Sequence, residues 1–200
     1  MVTQYMRGGS LLQLIEDGTR TITLLQALTM ARDTALGMNW LHSRNPCLLH
    51  LDLKPANLLI DEHGTVKVAD FGISILVERG QGAKDSGRLR GSLPYMPPER
   101  LLQQPYDSAV AGYSFAMTFW QMLNRETPFS DLEKLFEQME SMAEFMVMFR
   151  RRVCPEHSRP PLKNTPTLVH DLLTRCWATA AKGRPSFQTL IGDIDGLLVA

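Results

Sequence analysis

Residues 50–72 read H-L-D-L-K-P-A-N-L-L-I-D-E-H-G-T-V-K-V-A-D-F-G, and their pattern decides how the chain folds. Two short apolar runs, 58–60 and 66–69, flank Asp61-Glu62-His63-Gly64. That is a hairpin signature, with the glycine supplying the backbone freedom a tight turn needs. Antiparallel pairing across the turn brings Asn57, just before the first strand, close to Asp70, just after the second. Asp52 lies one short loop upstream, at the same end of the hairpin. Three oxygen-bearing side chains and the Lys54 ammonium therefore converge on one rigid support. Hard oxygen ligands beside an ammonium suit a magnesium–polyphosphate complex better than zinc or thiol chemistry.

Working outward, His50-Leu51-Asp52-Leu53-Lys54-Pro55-Ala56-Asn57 resembles the catalytic loop of eukaryotic protein kinases, and Asp70-Phe71-Gly72 resembles their metal-binding motif. The resemblance implies roles for the matching positions. Asp52 orients the substrate hydroxyl and accepts its proton, and Lys54 neutralises the transferring phosphoryl group. Asn57 and Asp70 hold the magnesium ions that accompany ATP. His50, Phe71 and Gly72 are structural members of the same motifs. Lys54-Pro55 resembles the pair found in serine/threonine kinases, and the motifs as a set are most similar to the tyrosine-kinase-like branch. ATP and Mg2+ are the implied cofactors, and a protein bearing serine or threonine hydroxyls is the implied partner.

The bulk properties agree with a soluble globular domain. Two hundred residues, 44% hydrophobic and 21% charged, suffice for one domain with a sizeable core. Lys+Arg and Asp+Glu both number 21, so the formal net charge is zero. That balance argues against nucleic-acid binding as the main activity. Cys47, Cys154 and Cys176 are odd in number and widely spaced, which reads as reduced thiols rather than a metal pattern or a disulfide framework. No apolar run approaches membrane-spanning length and no signal-peptide pattern opens the chain, so the expectation is a cytoplasmic protein with no membrane partner.

Residues 1–6 read as a short strand-like piece, followed by the flexible Arg7-Gly8-Gly9-Ser10. By the same resemblance, residues 1–10 match the last strand of a kinase small lobe and its hinge. Thr3 then gates the back of the adenine pocket, the backbones of Gln4 and Met6 bond the adenine edge, and Leu59 forms its floor. The remainder matches the large lobe: catalytic loop and metal-binding hairpin at 50–72, activation segment at 70–99, and a helical remainder at 100–200. The implied fold is mainly α (α+β), a kinase large lobe with a small catalytic β-hairpin and without the small lobe, within residues 1–200. Phosphoryl transfer by these residues alone is accordingly not expected.

Several helices can be read from caps and periodicity. Ser10 caps a short helix through Leu11, Leu12, Leu14 and Ile15. Thr23 with Gln26 forms a capping box for a long helix whose stripe is Leu24, Leu28, Ala31, Ala35 and Met38. His42 falls at the end of that helix, where a positive charge would complement the dipole. Residues 73–91 read as a long loop, with Ser74, Ser86 and Ser92 as candidate phosphorylation sites. Residues 113–123 form a core helix bearing Phe115, Phe119, Met122 and Leu123. Ser130 with Glu133 opens another, carrying Leu135, Phe136, Met139 and Met142 as core filler. Arg150-Arg151-Arg152 reads as a solvated helix end. Thr165-Pro166 begins a helix burying Leu168, Leu172 and Leu173, and Ser186 caps a last one burying Phe187, Leu190, Ile191, Ile194 and Leu197.

The resemblance extends to the segment Gly91-Ser92-Leu93-Pro94-Tyr95-Met96-Pro97-Pro98-Glu99, similar to the substrate-docking loop and its closing motif, with Pro97 in place of alanine. Ser92 then bonds the catalytic aspartate and lysine, and Glu99 pairs with Arg184. Two departures stand out. Leu51 replaces the arginine that usually precedes the catalytic aspartate, which weakens control by loop phosphorylation. Ala111 replaces the aspartate that anchors the catalytic loop. The second departure supports an alternative reading, a pseudokinase or truncated lobe acting as a protein-interaction module.

Overall fold

The long helix α2 (Leu24–His42) is the beam on which the other elements rest. The computed structural model describes residues 3–78, 80–85, 89–132, 139–155, 158–163 and 165–199. Thr23 and Gln26 form the expected capping box, each side chain reaching the other's backbone amide. Ala27, Leu28, Ala31, Ala35 and Met38 are buried along one stripe. Upstream, α1 (Leu11–Glu16) starts from Ser10 with its own capping box to Gln13. Within the described residues, α3 (Pro98–Leu101), α4 (Val110–Asn124), α5 (Met142–Val153), α6 (His170–Cys176) and α7 (Phe187–Leu198) follow. Helix α7 packs lengthwise on α2, and α4 packs on both α2 and α6. Helix α4 is buried on every side from Val110 to Met122, as a helix at the centre of a lobe must be.

Two small antiparallel sheets sit at one edge of this bundle. The first is the expected hairpin, β2 (Leu58–Ile60) with β3 (Val66–Val68), in the register Leu58↔Val68, Leu59↔Lys67 and Ile60↔Val66. The second joins β1 (Cys47–Leu49) to β4 (Ile75–Val77). This pairing corrects the reading of residues 73–91 as one uninterrupted loop. Three-residue strands beside a glycine-rich segment carry too little alternation to register as strands.

Other expectations need correction. Residues 3–6 form no strand: among the described residues nothing offers them a ladder of backbone partners. Most of the helix placed after Ser130 (Glu133, Leu135, Phe136) lies outside the described residues, as do Ser86, Met1 and Val2. Met142 belongs instead to the first turn of α5, which Ser141 caps, and is 57% exposed rather than core. The Thr165 hydroxyl accepts a hydrogen bond from Asn124 Nδ2 at 3.0 Å, so Pro166 precedes a 3-10 turn (Thr167–Val169) that runs into α6. That shift turns Leu168 outward, 49% exposed, while Leu172 and Leu173 are buried as expected. In α7 the expected face is buried, with Leu197 only partly so.

His42 is the most instructive correction. Its ring lies edge-on to Phe187 with centroids 5.3 Å apart. The Nε2 atom is shut from solvent with no hydrogen-bond partner among the described residues. Burial pushes its pKa down to about 4, which the Asp107 carboxylate opposes only weakly, so the ring is neutral at pH 7 and contributes nothing to the helix dipole. The sign for stability follows from linkage. Between about pH 6.5 and 4 the unfolded chain binds a proton here that the folded chain refuses, so this contribution is complete above pH 6.5 and lost as pH falls through about 4. The full loss is roughly 3 kcal/mol at 1.36 kcal/mol per unit. Replacing His42 by leucine should therefore flatten the fall in melting temperature across this range. Parallel curves for the two proteins would contradict it.

Candidate active site

The hairpin turn is built by Asp61. Its Oδ1 accepts from the amides of His63 and Thr65, both at 2.9 Å, and Gly64 takes a φ of +84° that favours glycine. Asp33 on α2 anchors the return strand by accepting from the Val66 amide at 3.0 Å. At the open end, the Ala69 amide donates to the Asn57 carbonyl at 2.9 Å, continuing the pairing by one step. Asn57 and Asp70 are thereby set at the same end of the support, as the sequence pattern requires.

His50 is fully buried and ties this end together. Its Nδ1 accepts from the Asp52 amide at 3.3 Å, so Nε2 carries the hydrogen and donates to the Ala69 carbonyl at 2.9 Å. Burial holds its pKa below the ordinary histidine value, which keeps that neutral tautomer in place. Phe71 stacks edge-on against His50 at 5.2 Å and leaves 42% of its own surface exposed. Gly72 donates its amide to Asp70 Oδ1 at 3.2 Å, and a Cβ at Gly72 would sit 3.1 Å from that same oxygen.

Around Asp52 the polar groups converge. Oδ1 accepts from the Ser92 amide at 2.9 Å; Oδ2 accepts from Lys54 Nζ at 2.9 Å and from Asn57 Nδ2 at 3.0 Å. Lys54 Nζ also donates to Ser92 Oγ at 2.7 Å. Burial alone would raise the Asp52 pKa, but the hydrogen bond and charge of Lys54, with Ser92 and Asn57 donating, hold it below the usual carboxylate value. Asp52 is therefore an ionised acceptor at neutral pH. Asn57 gives its amide group to both the Asp52 side chain and the Asp52 carbonyl, the latter at 2.8 Å, which leaves Oδ1 as its remaining acceptor. Leu51 and Asp70 both hold left-handed backbone, at φ +66° and +62°. Each such residue stores on the order of 1–3 kcal/mol of strain.

The other expected site residues are less gathered. Gly8 donates to the Ile60 carbonyl at 2.9 Å, and Ile60 donates back to Gly9 at 2.8 Å. The segment 8–10 thus lies against β2, where Ser10 bridges to Leu59. Leu59 and Met6 are partly buried, while Thr3 and Gln4 are exposed. Ser74 donates its hydroxyl to the His50 carbonyl at 3.2 Å. Glu99 and Arg184 form the expected buried pair, with Arg184 Nη1 and Nη2 at 2.6 and 2.9 Å from the two carboxylate oxygens. Sequence reasoning missed Arg100 and Asp85, which pair through two bonds of 3.0 and 2.9 Å, because no local pattern marks an arginine on a four-residue helix as buried.

A family model described as "Protein kinase domain" matches residues 1–193. The chain belongs to the protein kinase family. Its relatives include the Dictyostelium discoideum dual specificity protein kinases shkC and shkB, 35% and 40% identical, each matched over 100% of this chain and over 37% and 30% of its own length. The mouse receptor-interacting serine/threonine-protein kinase 4 is 34% identical over 98% of this chain and 25% of its own length. The chain thus spans about a third or less of these curated relatives. Among its described residues, no helix is long and apolar enough to cross a membrane.

The alanine at the start of α4 is one of the departures from the kinase pattern noted in the sequence. Ala111 lines a small cavity with Leu51, Leu53, Pro97, Arg100, Val110 and Ser114, with space for about one water. The hydrogen bonds of the described residues include none from the His50 or Leu51 amides. Ala111→Asp should place an acceptor in that cavity, which Leu51 and Arg100 also line. Satisfying a buried donor is worth about 1–3 kcal/mol, against the desolvation of a new carboxylate. We expect a gain of about 2–4 °C in melting temperature, the shift of roughly 1 kcal/mol in a domain this size. An unchanged or lowered midpoint would mean that the loop is held in another way.

Proposed function

We propose that this chain carries the catalytic large lobe of a serine/threonine protein kinase, which transfers the γ-phosphoryl group of ATP to a protein hydroxyl. The observation that carries the reading is the ionised Asp52 carboxylate, held on both oxygens by Ser92, Lys54 and Asn57 at the open end of the hairpin. The donor set also fits magnesium. Among the described residues no group of three or more His, Cys, Asp or Glu gathers as a metal cage. Magnesium bound with a nucleotide needs only one or two protein oxygens, the phosphates and water supplying the rest. Asp70 offers an exposed carboxylate and the buried Asn57 its remaining amide oxygen for that purpose.

Bound Mg–ATP supplies the phosphoryl group and neutralises part of its charge. The chain's own residues do the remainder. Asp52 accepts a hydrogen bond from the substrate hydroxyl, aims its oxygen and takes its proton as that oxygen bonds to the γ-phosphorus and the bond to the β–γ bridging oxygen breaks, ADP being the leaving group. Lys54, 2.9 Å from Asp52, places a positive charge where the transferring group becomes most negative. Ser92 fixes both of these side chains from the docking loop. Leu59, Thr3, Gln4 and Met6 are assigned to the adenine, and the lysine-proline pair at 54–55 favours serine and threonine acceptors.

Covering and orienting the phosphates is the task that the resemblance assigns to a small lobe. We therefore expect residues 1–200 expressed without a small lobe to be inert, since positioning supplies much of the acceleration, and each assay below uses a protein in which a small lobe accompanies them. The assignment of Asp70 is tested in the full-length protein by calorimetry. ATP should bind about tenfold more tightly with Mg2+ than without, and Asp70→Asn should remove most of that difference by taking away a charged ligand. An Asp70→Asn variant that keeps the metal dependence contradicts the assignment. Absence of nucleotide binding in the wild-type protein would favour a protein-interaction module.

A further inference from the structure

Arg100 is an arginine with 2% of its surface exposed, at the end of a four-residue helix, and none of the roles assigned above uses it. Its guanidinium makes four hydrogen bonds to three separate stretches of chain. Nε and Nη2 grip the Asp85 carboxylate at 3.0 and 2.9 Å. Nη2 also reaches the Arg90 carbonyl at 2.9 Å, and Nη1 donates to the Leu51 carbonyl at 3.0 Å. Leu51 is the strained residue immediately before Asp52, and Arg90 comes two residues before Ser92.

The surroundings fit this junction closely. Tyr106 donates its hydroxyl to Asp85 Oδ1 at 3.3 Å, and the Arg100 guanidinium lies 5.4 Å from the Tyr106 ring centroid. The backbones of Ala83 and Tyr106 exchange hydrogen bonds of 2.7 and 2.8 Å, pinning the stretch that leads to Asp85. Gly91 has a φ of +108°, and a Cβ there would sit 3.0 Å from the Leu51 carbonyl oxygen and 3.6 Å from Arg100 Nη1. Only a residue without a side chain lets the segment lie so close.

We propose that Arg100 is a positioning residue for Asp52, and that Asp85 sets it in place by closing a clasp between the activation segment and the catalytic loop. The chain of contacts is short. Asp85 orients and neutralises a buried guanidinium, the guanidinium holds the Leu51 carbonyl in its left-handed conformation, and Leu51 fixes the direction from which Asp52 projects. The same guanidinium holds Arg90, so the Ser92 amide is delivered to Asp52 Oδ1 from the other side. A planar fork is needed because one ammonium cannot serve all three directions. Without the Asp85 carboxylate, the guanidinium keeps a charge in a buried place and is drawn away from both carbonyls. This inference rests on the kinase reading for its effect on rate, while the clasp itself is a statement about the folded chain.

The experiment uses the full-length protein, its Asp85→Ala and Arg100→Lys variants, and two readouts. Hydrogen exchange is followed at the amides of Asp52 and Ser92, with the interior of α4 as internal reference. Steady-state transfer from ATP gives kcat and KM separately. In both variants, exchange at Asp52 and Ser92 should rise about tenfold while α4 is unchanged, as expected of a local opening. The kcat should fall about tenfold with the KM for ATP within about twofold, the pattern of an interaction needed in the transition state. Unchanged exchange at Asp52 and Ser92 in Asp85→Ala overturns the clasp. Faster exchange with unaltered kcat overturns the positioning role. If Arg100→Lys or Asp85→Ala fails to fold, Asp85→Asn decides in its place, since it keeps the shape and one acceptor oxygen of a side chain that is only 11% exposed. If the wild-type protein transfers no phosphate, the kinase reading fails, and the exchange data still judge the clasp.

Discussion

Asp52→Asn should cost the full-length protein about a thousandfold in phosphoryl transfer, while its melting temperature moves little. The expected size follows from the role: a positioned general base contributes about 10²–10⁴-fold. The substitution keeps the shape of the side chain and the carbonyl oxygen that faces Ser92, but it replaces the charged acceptor that Lys54 and Asn57 now share with an amide donor. Lys54 retains Ser92 Oγ at 2.7 Å as a partner, so no buried ammonium is stranded. Binding of ATP should change little, which places the loss in kcat. A variant retaining a tenth or more of the wild-type rate would show that Asp52 is not the proton acceptor.

Glu99→Ala should destabilise the lobe by about 3–5 kcal/mol, because it strands a buried guanidinium. Arg184 has a side chain with no exposed surface. Beyond Glu99 it bonds the carbonyls of Ala178 at 2.8 Å, Ala109 at 3.2 Å and Thr179 at 3.4 Å, and its guanidinium lies 5.4 Å from the Tyr113 ring centroid. The pair therefore binds the docking-loop helix α3 to the start of α4 and to the turn before α7. Against a total stability of about 5–15 kcal/mol, such a loss lowers the melting temperature by on the order of 10 °C. The double variant Glu99→Leu with Arg184→Met should recover most of the loss, since well-packed apolar groups often match a buried ion pair. Thermal melts of the two proteins check this. If Glu99→Ala costs less than about 1 kcal/mol, water reaches the guanidinium and the pair does not organise the lobe.

The hairpin and its loops were legible in the sequence because their determinants are local. Asp61 and Gly64 specify the turn, the short runs 58–60 and 66–69 specify the strands, and the pairing then forces Asn57 and Asp70 to one end. The cap at Ser10 and the capping box at Thr23 likewise placed two helix starts correctly. What escaped notice depends on distant partners. Strand β4 exists because β1 lies beside it, not because 75–77 alternates. His42 reads as a dipole-capping cation until Phe187, far along the chain, covers its ring. Leu168 sits at an apolar position of a helix that begins later than its cap signal suggested. Arg100 is the extreme case, since its three partners come from 51, 85 and 90, and a charged residue on a short surface-like helix carries no sign of burial.

The central claim is that this hairpin site moves a phosphoryl group onto a protein hydroxyl. Its most direct test is to incubate the full-length protein with Mg2+, γ-labelled ATP and a generic protein substrate, and then to identify the labelled amino acids. The account predicts label on serine and threonine that requires Mg2+ and falls to background in Asp52→Asn. Wild-type label no higher than that of Asp52→Asn would contradict it.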